Sequence, residues 1–357
     1  MTAPRATDAP IETDAVVIGA GPAGLFQVFE LGLLEMRCHV VDSLPGPGGQ
    51  CVELYADKPI YDIPGTPACT ALELIDRLLL QIAPFDAPFH FGQQVDALQR
   101  LDDGRFRLET SKGLRLIAKV VVIASGVGSF QPRRLKVDGL DAFNDTQVFY
   151  SEAEAQAFVG QRVLVIGDGD AALECAQRLA GPGPHRAIEV TLMHRRDEFK
   201  AAPATIDHIA RLRASKQLQF IAGQATGFEQ HGGQLTALTI MAPDGSTRAV
   251  PIDTVIVLTG LSPKLGPIAD WGLALERKQL VVDTEKFETS EPGIFAVGDV
   301  NTYPGKKKLI LCGFHEAALA AFGAAAHVFP GKAVPLEYTT TSPRLLRALG
   351  RAGTPVP

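Results

Sequence analysis

Near its N-terminus the chain reads Ala15-Val16-Val17-Ile18-Gly19-Ala20-Gly21-Pro22-Ala23-Gly24, an apolar strand that runs directly into a Gly-x-Gly-x-x-Gly turn. Glycines at this spacing allow a tight strand-to-helix connection and let a pyrophosphate approach the amides at the helix N-terminus. The next predicted strand ends in Asp42, whose carboxylate is suited to accept hydrogen bonds from a ribose diol. This stretch predicts a dinucleotide-binding βαβ unit.

A second fingerprint follows the apolar strand Val163-Leu164-Val165-Ile166 and reads Gly167-Asp168-Gly169-Asp170-Ala171-Ala172. Its next strand ends in His194-Arg195-Arg196, and guanidinium groups hold a 2′-phosphate that an aspartate would repel. The two fingerprints therefore predict two different dinucleotides, the second of them phosphorylated. Asp168 and Asp170 place carboxylates near the predicted phosphate site, where they either point outward or cap the helix.

The composition sets limits on the class of protein. A chain of 357 residues is long enough for about two domains, and 46% hydrophobic with 21% charged residues is typical of a globular protein. The net charge of −6 argues against nucleic acid as a partner. Met1 to Pro10 lacks the apolar core of a signal peptide, and the Ala-rich segment from Ala317 to Val328 is too short to span a membrane. We expect a cytoplasmic protein with no membrane partner.

The five cysteines show no Cys-x-x-Cys spacing, and no histidine lies at metal-ligand spacing from a cysteine pair, so we predict no metal site. Cys51 follows Gly48-Gly49-Gln50, where some flavin disulfide reductases keep the first of two redox cysteines. The partner position is Ala56. A dithiol here would require a distant residue such as Cys69, and the alternative is a small buried apolar side chain.

The remaining pattern predicts an α/β fold with two Rossmann-like, three-layer (ββα/βαβ) dinucleotide-binding domains. A late strand, Gly293 to Val300, is expected to rejoin the first domain, so that the second domain is inserted within it. The predicted boundaries are 1–131 with 260–335 for the first domain, 132–259 for the second, and 336–357 for a polar, basic tail. Further predicted elements are a helix at Leu72 to Ile82, strands at Phe89 to Val95, Arg105 to Thr110, Leu114 to Lys119, Gln219 to Ile221, Leu235 to Met241 and Thr254 to Gly260, and a helix from about Gly313.

With these residues in place, the chain resembles the flavoprotein pyridine-nucleotide reductases of the thioredoxin-reductase fold, and more narrowly their ferredoxin–NADP reductase branch. The resemblance rests on Gly19-x-Gly21-x-x-Gly24, Gly48-Gly49-Gln50, Tyr55, Ile60-Tyr61-Asp62, Ala124-Ser125-Gly126, Gly167-x-Gly169, His194-Arg195-Arg196-Asp197 and Gly298-Asp299. Two departures separate it from the thioredoxin reductases. Those enzymes carry a Cys-x-x-Cys where this chain has Gln147 to Ser151, and an Arg-Gln pair where it has Lys306 to Glu316.

The resemblance implies FAD in the first domain and NADPH in the second. Hydride would pass from NADPH to the flavin, then single electrons to ferredoxin or flavodoxin, with no catalytic acid, base or nucleophile from the protein. The resemblance also implies a homodimer. Two other functions stay open: a disulfide reductase that uses a non-local cysteine pair, and a non-catalytic flavin-binding redox sensor.

The resemblance further implies the site residues. Tyr55 would stack on the flavin, Asp42 and Asp299 would bind its ribose and its ribityl or pyrophosphate region, and Thr340 would cover it, from the partner subunit. The full FAD set is Gly19, Gly21, Pro22, Ala23, Gly24, Asp42, Gln50, Tyr55, Val95, Phe130, Asp299 and Thr340. The NADPH set is Gly167, Gly169, His194, Arg195, Arg196 and Lys200, where Lys200 replaces the arginine usual in the family. His315 replaces a small residue near the flavin.

A basic face is a further hypothesis. Arg133, Arg134 and Lys136, together with Lys306 to Lys308, would attract an acidic electron carrier. The alternative interpretation is a solvated surface, which charge runs more often form.

Overall fold

The computed structural model describes residues 9–151, 158–181 and 187–351. The chain forms two compact units. Unit 1 takes the chain up to Ser129 and again from Lys264 onward, and unit 2 takes Phe130–Pro263. The chain therefore crosses between the units twice, and unit 2 is inserted within unit 1.

The first part of unit 1 alternates strands and helices and then continues as a run of strands. Its elements are β1 (Ile11–Ile18), α1 (Pro22–Leu33), β2 (Cys38–Val41), α2 (Gln50–Tyr55), β3 (Pro59–Ile60), β4 (Cys69–Thr70), α3 (Ala71–Ile82), a 3-10 helix (Ala83–Phe85), β5 (Phe89–His90), β6 (Val95–Arg100), β7 (Phe106–Thr110) and β8 (Arg115–Ile123). The predicted helix at Leu72 is confirmed; it begins one residue earlier because Thr70 and Glu73 form a reciprocal capping box.

Unit 2 follows with its own sheet. Its elements are β9 (Ser129–Pro132), a 3-10 helix (Leu140–Phe143), β10 (Val148–Phe149), β11 (Arg162–Ile166), α4 (Asp170–Ala180), β12 (Glu189–His194), α5 (Pro203–Ala214), β13 (Gln219–Ala222), β14 (Gln224–His231), β15 (Gln234–Met241), β16 (Thr247–Pro251), β17 (Thr254–Val257) and β18 (Leu261–Lys264). Strands β9 and β18 pair with each other where the chain enters and leaves the unit.

The parallel sheet of unit 2 has the order β10-β17-β11-β12-β13 and is covered on both faces. Val163 and Val165 of β11 pack on one face with α4 and α5. Leu164 and Ile166 pack on the other face with the antiparallel sheet β14-β15-β16, through residues such as Leu238. Successive side chains of a strand point to opposite faces, so a strand buried on both faces is continuously apolar. This is the predicted three-layer arrangement.

The chain then returns to unit 1. The remaining elements are a 3-10 helix (Gly266–Asp270), β19 (Leu275–Glu276), β20 (Gln279–Val281), β21 (Ile294–Ala296), a 3-10 helix (Gly298–Val300), β22 (Asn301–Thr302), α6 (Ile310–Val328) and α7 (Pro343–Ala348). Six strands of the unit 1 sheet have the order β5-β2-β1-β8-β7-β6. Strand β21 pairs with β8 in parallel and is the seventh strand. The late strand therefore does rejoin the first sheet, as predicted.

Several predicted elements differ from the structure. The strand expected over Gly293 to Val300 is limited to Ile294–Ala296, and the strand expected over Thr254 to Gly260 ends at Val257. The segment from Phe89 to Val95 is divided between β5 and β6, with Gly92 at a positive φ of 64° between them. Helix α6 begins at Ile310, three residues before the predicted start. The C-terminal segment is not only a polar tail, because Ser342 caps α7, Pro343 occupies its first position and Leu345 is buried.

Helix α6 is long and apolar enough to cross a membrane by length and composition alone. Within unit 1, however, Ala317, Ala320, Ala321, Ala324 and Ala325 are fully buried. Small side chains allow α6 to pack closely, and they explain why it forms a core helix of this unit.

Candidate functional site

The three glycines of the first fingerprint have two different roles. A Cβ at Gly19, which has a φ of 114°, would collide with the Ala124 carbonyl at the end of β8, and a Cβ at Gly24 would collide with the Gly19 carbonyl. At Gly21 the nearest atom to a Cβ is the Gly48 oxygen at 4.0 Å. Gly19 and Gly24 therefore serve the close packing of strand and helix, whereas Gly21 leaves space above the backbone for a ligand.

The N-terminus of α1 is suited to bind an anion. Gly21 is its N-cap, Pro22 occupies its first position, no side chain caps it and its first turn holds no acidic residue. Beside the turn, the Ser125 hydroxyl is buried without a hydrogen-bond partner among the described residues. Uncapped amides at the positive end of a helix attract phosphate groups. The turn thus fits the pyrophosphate of a dinucleotide.

Asp42 lies at the end of β2, next to this turn, and is only 8% exposed. One carboxylate oxygen accepts a hydrogen bond from the Ala20 amide at 2.6 Å and the other accepts from the Leu44 amide at 2.8 Å. Burial raises the pKa of this carboxyl, while the two amides oppose the shift. The carboxylate joins the glycine turn to the following loop, and each oxygen keeps a lone pair for a ribose hydroxyl.

The glycine- and proline-rich loop brings α2 to the same place. The Gly48 amide donates to the Ala20 carbonyl at 2.9 Å, and a Cβ at Gly49 would lie 3.2 Å from Gly21 Cα. Gln50 therefore begins α2 beside the first fingerprint, and the half-buried Tyr55 ends it.

The turn that carries Asp299 also lies close to the α1 N-terminus. A Cβ at Gly298, which has a φ of 78°, would lie 3.2 Å from Ala23 Cβ. Burial raises the pKa of Asp299, and the nearby Lys306 and Lys308 oppose the shift. Tertiary structure thus gathers Asp42, Gln50, Tyr55 and Asp299 around the open Gly21.

A buried polar cluster behind Asp299 was missed by the sequence analysis. Glu316 of α6 has no exposed surface, and its carboxylate accepts hydrogen bonds from the Gly298 amide, Asn301, Tyr303 and Lys306. The available signal was a glutamate inside an alanine-rich helix, where an ionised side chain requires buried partners. The Lys306 side chain is only 7% exposed, so its predicted place on a basic docking face is wrong.

The second fingerprint repeats the geometry of the first. A Cβ at Gly167 would collide with the Leu258 carbonyl, and Ala172 occupies the close-packing position that Gly24 has in unit 1. Gly169 is the N-cap of α4, and the nearest atom to its Cβ would be the Lys200 oxygen at 3.9 Å. Gly169, like Gly21, leaves space for a phosphate.

A cleft of about 350 Å³ opens beside Gly169. Arg195 and Arg196 are exposed there, and neither guanidinium forms an ion pair within the part of the chain that the structure describes. The neighbouring Asp197 is neutralised by Arg213 through two hydrogen bonds of 2.8 Å. The cleft is lined by Asp168, His194, Arg195, Arg196, Glu198, Phe199 and Lys200. It presents a net positive surface to an anion, and the sequence analysis missed Glu198 and Phe199 as lining residues.

The two aspartates of the fingerprint have different partners. Asp168 lies 3.5 Å from the Lys200 ammonium and 3.7 Å from the His194 ring. Asp170 accepts a hydrogen bond from the Ala202 amide at 2.8 Å, whereas the N-cap of α4 has no side-chain cap. Asp170 therefore does not cap α4; it is exposed, and its carboxylate binds the loop before α5. Asp168 points into the cleft.

All five cysteines are free thiols. Cys38, Cys51, Cys69 and Cys175 are buried, and Cys312 is half-buried. Cys51 and Cys69 are not joined by a disulfide in this structure.

The remaining predicted residues are more dispersed. The Val95 side chain is 3% exposed in the unit 1 core, the Phe130 side chain lies outside the described residues, and Thr340 is exposed in the turn before α7. His315 is exposed on α6 with its ring against Phe287. Arg133, Arg134 and Lys136 are exposed in unit 2, whereas Lys307 and Lys308 are exposed in unit 1.

Two Rossmann-like units, each with an open glycine at a helix N-terminus, define a protein that binds two dinucleotides. The family model described as pyridine nucleotide-disulphide oxidoreductase matches residues 13–317. The chain belongs to this family.

Similar proteins indicate which members of this family the chain resembles. The chain is 61% identical to a ferredoxin–NADP reductase of Methylibium petroleiphilum over 98% of this chain and 95% of the relative. It is 59% identical to one of a Polaromonas species over 96% and 94%. Among solved structures it is similar to thioredoxin reductase of Lactococcus lactis, with a TM-score of 0.58 and 25% identity over 88% of this chain and 99% of that one. A bacillithiol disulfide reductase of Staphylococcus aureus has a TM-score of 0.61 at 16% identity over 88% and 99%, which shows a shared fold.

Proposed function

We propose that this chain is a ferredoxin–NADP reductase, a flavoprotein that takes electrons from NADPH and delivers them to ferredoxin. One observation carries the proposal: two equally open glycine turns lie beside strand ends of opposite charge. Asp42 accompanies Gly21 in unit 1, and Arg195 with Arg196 accompanies Gly169 in unit 2. The relatives named ferredoxin–NADP reductase, which the chain matches over nearly its full length, support the same function.

In this proposal unit 1 holds FAD. The α1 N-terminus, with Gly19, Gly21, Pro22, Ala23 and Gly24, would receive the pyrophosphate because its amides are uncapped. Asp42 would accept from a ribose, and Gln50, Tyr55 and Asp299 would bind the rest of the cofactor. Val95 would contact FAD through its backbone, since its side chain is buried in the core. Bound FAD supplies the redox chemistry, accepting a hydride and releasing electrons singly.

Unit 2 holds NADPH. The α4 N-terminus with Gly167 and Gly169 would bind its pyrophosphate, and Arg195 and Arg196 would bind its 2′-phosphate by charge-assisted hydrogen bonds. His194 would assist them. Lys200 would assist less, because its exposed ammonium is already shared with Asp168.

The acceptor is ferredoxin, and we propose flavodoxin as a second one. A disulfide substrate is disfavoured because the chain contains no Cys-x-x-Cys and its relatives are named ferredoxin–NADP reductases. The decisive experiment is stopped-flow absorbance of the purified holoprotein, mixed with NADPH and then with ferredoxin, flavodoxin or thioredoxin. We expect reoxidation by ferredoxin and flavodoxin and none by thioredoxin. Rapid reoxidation by thioredoxin alone would support the disulfide reductase.

Two further properties belong to this proposal. A homodimer would let the exposed turn at Thr340 cover the flavin of a partner subunit; light scattering after gel filtration tests it, and a monomeric mass would contradict it.

A cytoplasmic location agrees with five free thiols, which persist in reducing compartments. Cell fractionation followed by immunoblotting tests that location.

A further inference from the structure

Glu316 is the most completely buried charge described in unit 1. Its side chain has no exposed surface, and its carboxylate oxygens accept four hydrogen bonds. One oxygen accepts from the Gly298 amide at 2.7 Å and from Asn301 Nδ2 at 2.9 Å. The other accepts from the Tyr303 hydroxyl at 2.9 Å and from Lys306 Nζ at 2.5 Å. A buried carboxylate with this many donors is fully compensated.

The cluster forms hydrogen bonds with both the amide and the carbonyl of Gly298. Glu316 accepts from the Gly298 amide, and the Lys306 ammonium donates to the Gly298 carbonyl at 2.9 Å. Gly298 has a φ of 78°, a conformation that favours glycine, and it begins the short 3-10 helix Gly298–Val300 that contains Asp299. The next residue is Asp299, and Gly298 itself abuts Ala23 at the α1 N-terminus.

We propose that Glu316 and Lys306 form a positioning pair, which holds the Gly298-Asp299 turn in the shape that binds FAD. Neither residue needs to contact the cofactor. The inference rests on the proposed function only in that FAD is the ligand of unit 1.

The chemistry of the cluster requires an ionised carboxylate at position 316. All four partners are donors, and a carboxylate is the side chain that presents acceptors on both oxygens. In Glu316→Gln the amide nitrogen faces two donors whichever way it is turned. In Lys306→Met the carboxylate stays buried without its counter-charge, and the Gly298 carbonyl loses its donor.

The chain contains a matched control at the other end of β21. Glu288 is also buried, accepts from the amide of Gly293 at 2.8 Å, and pairs with Lys286 at 2.6 Å. Gly293 has a positive φ of 89°, like Gly298. Glu288→Gln therefore removes a buried carboxylate that binds the glycine amide before β21, whereas Glu316 binds the glycine amide after it.

The experiment measures FAD dissociation from each purified holoprotein by the fluorescence of released flavin, with the thermal midpoint measured in parallel. We expect Glu316→Gln and Lys306→Met to weaken FAD about tenfold or more, the loss of a charge-assisted hydrogen bond. Glu288→Gln is expected to lose stability with FAD affinity within about twofold of wild type. Tyr303→Phe, which leaves no charge unpaired, is expected to weaken FAD about two- to fivefold.

A double variant separates positioning from stability. Glu316→Met with Lys306→Met leaves no unpaired charge, so its midpoint should exceed that of either single charge variant. Its FAD affinity should stay low, because Gly298 is no longer held. Recovery of FAD affinity together with the midpoint in the double variant would overturn the proposal. An equal loss of FAD affinity in Glu288→Gln would also overturn it. If Glu316→Gln does not fold, wild-type FAD affinity in Tyr303→Phe would overturn it instead. Failure of the wild-type protein to bind FAD would instead contradict the proposed function.

Discussion

The Cys51 thiol lies 3.2 Å from the Tyr55 hydroxyl, one helical turn further along α2. Burial raises the pKa of Cys51, and the charge of Asp299 adds to that shift. The pKa of Tyr55 is raised by the same burial and by its contact with Cys51. A protonated thiol is a poor nucleophile. Cys51 therefore fits a packing partner of Tyr55 better than half of a redox dithiol.

This contact predicts the order of thiol labelling. Under native conditions at neutral pH, iodoacetamide should modify the half-buried Cys312 first and Cys51 slowly, because alkylation needs an accessible thiolate. Cys38, with a pKa of about 12, should react last. Peptide mass spectrometry gives the order, and thiol counting should find five thiols before and after NADPH. Two additional thiols after NADPH would argue for the disulfide reductase.

The two kinds of glycine predict two kinds of variant. Gly21→Ala should fold normally, because its Cβ meets no protein atom closer than 4.0 Å, yet it should bind FAD at least tenfold more weakly. Gly24→Ala should lower the thermal midpoint or prevent folding, because its Cβ collides with the Gly19 carbonyl. The same contrast is expected for Gly169→Ala and Gly167→Ala with NADPH. Thermal melts and ligand titrations check it, and unchanged FAD affinity in a folded Gly21→Ala protein would remove Gly21 from the site.

Coenzyme preference should depend on Arg195 and Arg196. The double alanine variant should raise the KM for NADPH about tenfold to a hundredfold and leave the KM for NADH within about threefold, because the two exposed guanidiniums together contribute about 1.5–3 kcal/mol to a charged partner. Steady-state kinetics with a dye acceptor measure both. Arg211→Ala with Arg248→Ala is the control, since both are exposed arginines of unit 2 outside the cleft. Equal losses for NADPH and NADH would contradict the assignment.

The basic residues of the docking hypothesis form two groups that can be tested separately. Lys307 and Lys308 are exposed in unit 1 beside the exposed side chains of Leu309 and Leu311, whereas Lys306 is buried. Lys307→Gln with Lys308→Gln should raise the KM for ferredoxin several-fold and flatten its salt dependence, because electrostatic attraction is screened by salt. The triple variant of Arg133, Arg134 and Lys136 tests the other half of the predicted face. An unchanged KM in both variants would leave these charges as solvated surface.

Glu30 of α1 predicts a pH dependence of stability. Burial raises its pKa from 4.5 to about 7. A carboxyl group that holds its proton more tightly when folded stabilises the protein below the unfolded pKa, and this contribution is lost as the pH rises through the folded pKa. With allowance for partial exposure, the loss is on the order of 1–3 kcal/mol. Glu30→Gln should therefore melt a few degrees higher than wild type at pH 8 and show a flatter pH profile between pH 5 and pH 8. The exposed Glu174→Gln serves as the control, and identical profiles for Glu30→Gln and wild type would refute the effect.

Much of the fold was predictable because its determinants are local. Apolar runs such as Val163 to Ile166 mark strands buried on both faces, and glycines at fixed spacing mark the turns that follow. Element ends were less predictable. Helix α6 begins at Ile310, before its predicted start. Helix α7 was missed because it has only six residues and depends on contact with α1, which is distant in sequence.

By itself the sequence determined two dinucleotide-binding turns and the opposite charges beside them, because a glycine turn and the residue that ends the next strand depend on neighbours in the chain. Only the tertiary structure decided which charged side chains are free to contact a ligand or a partner protein. Lys306 is adjacent to Lys307 in sequence, yet it lies buried against Glu316, and Asp197 is neutralised by Arg213, sixteen residues away. Burial and ion pairing depend on residues brought together by folding, and no spacing along the chain reports them.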